Sequence, residues 1–245
     1  MKKPRGPAID AATVAQIAVR RVRWKSTFRL VPVRYPPISF FERIADPADW
    51  DALYELEALT NPRLRQEVGQ ISIVPAERRV SGPGASVVMA PFTHVSPRRP
   101  TRFSAGEYGV YYAGRMFETA LREVAFHMGR FYACTNDAPH QEAYQTYKGS
   151  FDRAMHDLRG GAYKAFLDPD PANYGPPQEL ARQLRQSGSN GIVYPSVRHA
   201  GGECIAVFWP DLVPRPIQTK KITLKWDGTA ISQWYDHETD RWSPL

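Results

Sequence analysis

A strand that runs straight into an amphipathic helix organises this chain: Arg102 to Arg130 reads RFSAGEYGVYYAGRMFETALREVAFHMGR. A polar, glycine-bearing entry (Arg102, Ser104, Gly106) leads into an aromatic strand from Tyr108 to Ala113. Phe117, Ala120, Leu121, Val124 and Met128 then recur at helical spacing and form one apolar stripe. A strand that feeds directly into a helix aims a few polar side chains into one cleft. Glu123 lies roughly 120° from the centre of the stripe, with Thr119, His127 and Arg130 nearby. The ordinary reading of such a glutamate is a solvated flank. Its company argues otherwise, because two tyrosines precede it, Arg102 stands before them, and a Pro-Ser-Val-Arg turn follows a buried strand later on.

The rest of the chain reads as one α/β (α+β) domain, residues 27–245, preceded by a basic helical arm over residues 1–26. Asp10 to Val22 is predicted as a helix capped by Asp10, with RRVRWK at its end suiting the C-terminal dipole. Phe28 to Val33 is predicted as a strand with Arg29 and Val31 on one face. A helix is expected from Asp46 to Leu59, with Pro47 at its first position. Ile71 to Val74 is expected as a short strand, Ala85 to Ala90 as a short helix, and Glu142 to Lys148 as a strand. Pro177 to Gln186 reads as a helix, and Gly191–Tyr194 and Cys204–Trp209 read as buried strands. A hairpin over about 216–236 turns at Asp227-Gly228. The 22 prolines favour short elements and many loops.

Charge placement limits the function classes. The net charge is +7, but residues 1–30 carry eight Lys/Arg against Asp10 alone, and the other 215 carry 24 of each sign. The basic character therefore belongs to the N-terminal segment, whereas a nucleic-acid reader would spread it over a binding face, so a direct nucleic-acid partner is not expected. Nothing approaches the roughly 18 consecutive apolar residues of a membrane helix. No secretory signal is read, because Asp10, Thr13 and Gln16 break the first apolar run. A cytoplasmic protein is expected, with Cys134 and Cys204 as small, buried, reduced thiols. No P-loop, GxGxxG, HExxH or CxxC motif is present. Glu123 and His127, at i, i+4, lack a third ligand, so no metal is expected.

Taken together, several fragments resemble the RES domain. They are Phe28-Arg29-Leu30, Arg102-Phe103-Ser104, Val110-Tyr-Tyr-Ala113, Thr119 through His127, and Gly191-Ile-Val-Tyr-Pro-Ser-Val-Arg198 followed by Gly201-Gly202-Glu203. The resemblance covers about Phe28 to Leu212, and its strength lies in the order and spacing of the pieces. It implies a fold like that of the ADP-ribosyltransferase toxins. It also implies an NAD⁺-degrading toxin, a phosphorylase or glycohydrolase, neutralised by an Xre-like antitoxin in a hetero-oligomer. Protein ADP-ribosylation is the alternative, and a nucleic-acid-acting toxin stands behind it. On this resemblance Glu123 is the catalytic carboxylate, Arg29 and Arg102 hold the NAD⁺ pyrophosphate, and Ser196 is the family's serine. A strand tyrosine borders the nicotinamide; Tyr111 fits the strand wording, and Tyr112 fits the distance to Glu123. Gln178 is the one residue that matches a polar substrate-binding position before the Pro-Ser turn. NAD⁺ is substrate, with inorganic phosphate a candidate co-substrate, and no resident cofactor is implied. Residues of about 45–90, extra relative to the smallest family members, are expected to form a lid or a partner surface.

Overall fold

The computed structural model describes residues 14, 16–43, 46–61 and 63–245. Two long strands frame it. β1 (Val19–Pro32) pairs antiparallel along its length with β3 (His140–Asp157). β1 also meets β2 (Tyr111–Gly114) at one register position, Phe28↔Gly114. β2 pairs with β5 (Glu203–Val207), and β5 with β4 (Gly191–Pro195). β4 returns to the end of β3 as a parallel pair, His156↔Ile192 and Asp157↔Val193. These strands close a ring, and β6 (Ile217–Trp226), β7 (Ile231–Asp236) and β8 (Arg241–Pro244) extend the sheet from the first half of β3. Closure hides most strand edges, which would otherwise invite further pairing.

Positions 14 and 16–22 of the helix expected from Asp10 to Val22 fall among the described residues, and from Val19 on they form β1 and not a helix. Val22 and Trp24 are buried with period 2, while Arg21, Arg23 and Lys25 face outward. Asp152 on the paired strand attracts Arg21 at 2.6 Å and Arg23 at 3.6 Å. Ile17, Ala18 and Val22 suit a helix and Val22 with Trp24 suits a strand, and the cross-strand partner on β3 decided it. A bulge then shifts the register between Trp24 and Thr27. One extra residue reverses the facing of everything after it. Phe28 and Leu30 turn toward the long helix, and Val31 joins the opposite cluster with Val22 and Trp24.

That opposite face is covered by α1 (Ser39–Arg43), α2 (Trp50–Ala58), α3 (Leu64–Val68) and α4 (Ala85–Thr93). Phe41, Trp50, Val68, Val88 and Met89 are fully buried there against Tyr111, Phe151 and Val207. The segment expected to form a lid or a partner surface packs as a layer against this core. Asp46 caps its first turn, accepting from the Ala48 N–H at 2.9 Å. Ile71–Ile73 is a 3₁₀ turn and not the expected strand. The buried Arg79 inside this layer is tied to Asp51, Val74 O and Pro47 O.

The long helix α5 (Phe117–Thr135) lies on the other face. Ala120 and Leu121 are buried, and Phe117, Val124 and Met128 pack partly buried against the same cluster of Leu30, Tyr144, Ile222 and Trp226. The corner between β2 and α5 is tight. A Cβ on Gly114 would sit 2.8 Å from Ala120 N and 3.1 Å from Met116 O, so only glycine fits. α6 (Gly175–Gln186) buries Leu180, Ala181 and Leu184 against β4 and β5. Cys204 is buried, whereas Cys134, in the last turn of α5, is exposed, contrary to expectation. Among the described residues no helix is long and apolar enough to cross a membrane.

Candidate functional site

A cavity of about 280 Å³ opens between α5, the exposed end of β1, β2 and the loop before it. Arg29, Arg102, Tyr112 and Glu123 all line it, although they come from four separate places in the chain. The bend at Gly114 brings Tyr112 and Glu123 to one wall. Tyr111 and Tyr112 point to opposite faces of β2. Tyr112 lines the cavity, with its hydroxyl 2.9 Å from Thr101 Oγ1 and accepting from the Phe103 N–H at 3.1 Å. Tyr111 is buried among the helices of the opposite layer.

Arg29 occupies the place where β1 and β2 stop pairing. Its Nη1 donates to Tyr112 O at 3.0 Å, and its guanidinium lies 4.9 Å from the centre of the Tyr111 ring. Its Nε is buried with no protein partner. Burial holds the Arg29 pKa below its ordinary value, with Tyr111 opposing. Arg102 is 7% exposed. It donates to Asp168 O at 2.8 Å and Phe166 O at 3.4 Å, and stacks 4.6 Å over the Tyr174 ring. Among the described residues neither arginine has a carboxylate partner. A buried cation without a counter-charge is costly unless a ligand supplies one. The cavity is therefore suited to an anion.

Glu123 is held from behind. Its carboxylate accepts from Ser196 Oγ at 2.6 Å, and its side chain is 21% exposed. Ser196 is buried at the end of β4 and accepts from the backbone N–H groups of Arg198 and His199, both at 3.1 Å. With both acceptor directions used by amides, the hydroxyl proton is aimed at Glu123. Ser196 does not line the cavity; it orients the carboxylate that does. The turn itself depends on Gly202, where a Cβ would meet Thr119 Oγ1 at 2.6 Å and His199 Nδ1 at 2.8 Å. Ser196→Ala is expected to leave the fold intact and to release Glu123 into several rotamers. One charge-assisted hydrogen bond is worth about 1.5–3 kcal/mol, so activity should fall roughly tenfold or more, checked by steady-state rates.

Gln178 lies outside the cavity wall. Its amide nitrogen donates to Thr101 O at 2.8 Å and approaches Ser104 O at 3.4 Å, fastening the loop that carries Arg102. Thr119 contacts His199 Nδ1 at 2.9 Å and joins α5 to the serine turn. Tyr144, Tyr194 and Cys204 also line the wall, and none of them was expected from the sequence to be a site residue. Each is buried on its strand, and buried strand positions also build core. The Cys204 thiol is 3.9 Å from the Glu123 carboxylate, and burial raises its pKa, followed by the Glu123 charge.

His127 completes the Glu123 side of the wall, its Nε2 3.7 Å from Glu123 Oε2. Its pKa is pulled down to about 4, first by desolvation and then by Arg198, Arg102 and Arg130. With 49% of its side chain exposed, desolvation acts less than in a closed core, while the three arginines keep the direction. His127 is thus neutral at pH 7. Between about 4 and 6.5 the unfolded chain binds a proton that the folded chain excludes, so this group removes stability as pH falls through that window. His127→Gln is expected to lose less stability than the parent between neutral pH and about pH 5 by denaturant melts.

A family model described as "RES domain" matches residues 76–227, taking in Arg102, Tyr112, Glu123 and Ser196 and leaving Arg29 outside. A curated relative described as "Uncharacterized protein y4oC", from Sinorhizobium fredii (strain NBRC 101917 / NGR234), is 27% identical over 208 residues, covering 85% of this chain and 86% of that protein. A chain in the crystal structure of the M. tuberculosis MbcT-MbcA toxin-antitoxin complex is similar with a TM-score of 0.46 and 10% identity, over 90% of this chain and 95% of that one.

Proposed function

The chain belongs to the RES domain family, and from that premise we propose that it is a toxin-type enzyme that cleaves NAD⁺ at the nicotinamide–ribose bond. The observation that supports this most is Glu123. It is a carboxylate fixed by Ser196 in a cavity whose other charged wall residues are arginines without acidic partners. Arg29 and Arg102 bind the pyrophosphate, for which the planar guanidinium fork is better matched than an ammonium. The cavity falls just below the ~300–1,000 Å³ of pockets that enclose a whole drug-sized ligand, so it holds the nicotinamide riboside end. The aromatic wall at Tyr112 borders the nicotinamide ring.

In the reaction the bond between C1′ and the nicotinamide nitrogen breaks, and its electron pair leaves with the ring. Nicotinamide departs neutral and needs no proton, so a general acid is dispensable. Positive charge develops at the ribose C1′ and O4′. Glu123 stabilises that charge and orients the ribose hydroxyls. A phosphate oxygen or a water oxygen then bonds to C1′; with water, the released proton passes to solvent. The protein works in the cytoplasm, and an Xre-like antitoxin holds it inactive.

The test is an incubation of purified protein with NAD⁺, with and without inorganic phosphate, and separately with RNA. Chromatography is expected to show nicotinamide release, with ADP-ribose or its 1″-phosphate as the second product. Intact NAD⁺ alongside degraded RNA would sink the proposal. Arg78 and Arg79, which could have served a nucleic-acid backbone, are already committed to Asp211 and Asp51.

A further inference from the structure

A second cavity, about 420 Å³, lies on the far side of α5 from the cleft. Its floor is apolar, made by Phe126 and Gly129 of α5, Ile231 at the start of β7, and Leu245. Three arginines rise around it: Arg122 and Arg130 from α5, and Arg198 from the turn after β4. Arg122 is neutralised by Glu118 at 2.8 Å. Arg130 and Arg198 have no carboxylate partner among the described residues. The Arg198 guanidinium lies 3.3 Å from the centre of the Phe126 ring, and one of its nitrogens donates to Pro169 O. Its Nε is buried with no hydrogen-bond partner. Two guanidinium groups without a counter-charge beside an apolar-floored hollow are suited to an anionic ligand.

We propose that this cavity is a second anion site, which binds a phosphate monoester through Arg130 and Arg198 and seats its organic body on the Phe126–Gly129–Ile231 floor. Guanidinium forks match phosphate oxygens bidentately. The hollow is well above the space one phosphate fills and within the ~300–1,000 Å³ of small-molecule pockets, so the ligand carries a body beyond its phosphate. The apolar floor gives that body a surface to bury, and the arginines set its orientation. The hollow opens on the face of α5 opposite the cleft, and the proposal stands whether or not NAD⁺ is the substrate there.

Titration calorimetry with 5′-AMP and, in a separate arm, inorganic phosphate tests this. Both are run in an Arg29→Gln background, so that binding in the cleft is weakened. The monoester is expected to bind with a stoichiometry of one, more tightly than inorganic phosphate. Adding Arg130→Gln should weaken AMP roughly tenfold or more, the worth of one charge-assisted contact. Adding Gly129→Leu should block the floor. A Cβ at Gly129 has only ordinary contacts, the nearest being the Trp226 ring at 3.7 Å, and Arg130 is exposed, so at least one variant keeps the fold. If AMP fails to bind, or binds equally well to both added variants, the proposal is overturned. Equal affinity for phosphate and AMP would overturn the assignment of the floor.

Discussion

Glu123→Gln should keep the protein folded and reduce nicotinamide release by about 10²–10³, the usual cost of removing one preorganised electrostatic partner. Glutamine is nearly isosteric, and its carbonyl oxygen can still accept from Ser196 Oγ, now 2.6 Å away. The packing of α5 is untouched, because Glu123 stands off the buried stripe. What is lost is the negative charge beside the forming ribose cation. The loss should appear in kcat more than in KM, since the charge it opposes develops only in the transition state. The measurements are nicotinamide release by chromatography and a thermal melt of the same sample. A variant that turns over NAD⁺ at the parent rate would exclude Glu123 from the chemistry. A companion readout is growth: the parent gene without an antitoxin should drain cellular NAD⁺ and arrest cells, and the variant should not.

Leu121→Ala is expected to have the largest effect on stability. Leu121 has no exposed surface and lies between Leu30, Tyr144, Ile222 and Trp226. Deleting three carbons there leaves a void that a closed sheet and a 19-residue helix cannot readily collapse around. Costs of 2–5 kcal/mol are typical of such truncations, so the melting temperature should drop on the order of 10 °C. Denaturant titration would show this as a lower midpoint with little change in slope. A loss under about 1 kcal/mol would mean that α5 is not anchored by its stripe. Because Glu123 rides on the same helix two residues on, activity near the new midpoint should fall in step with the folded fraction.

The two substitutions separate what α5 does along its length. One face of the helix is a packing surface and the flank is a chemical one. Both were readable in the run from Phe117 to Met128, where a 3.6-residue period leaves Glu123 to one side. The buried strands Gly191–Pro195 and Glu203–Val207 were readable for a similar reason, since short apolar runs between turn residues have few other uses. Arg29, Arg102 and Glu123 do share one cavity. Composition could not have shown this; the order of the fragments was the guide.

Other features could not be read from the chain. Local spacing around Val22 allowed helix or strand, and pairing with β3 over more than a hundred intervening residues made it a strand. Tyr111 and Tyr112 are identical in type and adjacent, so only the facing of β2 distinguishes them. The direction of the Ser196 hydrogen bond required knowing that two backbone amides already occupy its oxygen. Gln178 was matched by position as a substrate contact, and its amide instead reaches the carbonyls of the loop around Arg102.

Periodicity along the chain was enough to specify the local elements whose period is unambiguous, the amphipathic α5 and the short buried strands, together with the residue types able to handle an anion and a developing cation. Tertiary structure decided which of those residues meet. The bulge between Trp24 and Thr27 reverses the facing of β1, and the single pairing position at Phe28 leaves Arg29 a carbonyl to hold and an Nε free. The turn at Gly202 sets Ser196 behind Glu123. These outcomes depend on register and closure of the sheet, which are properties of pairs of distant segments and are carried by neither segment alone.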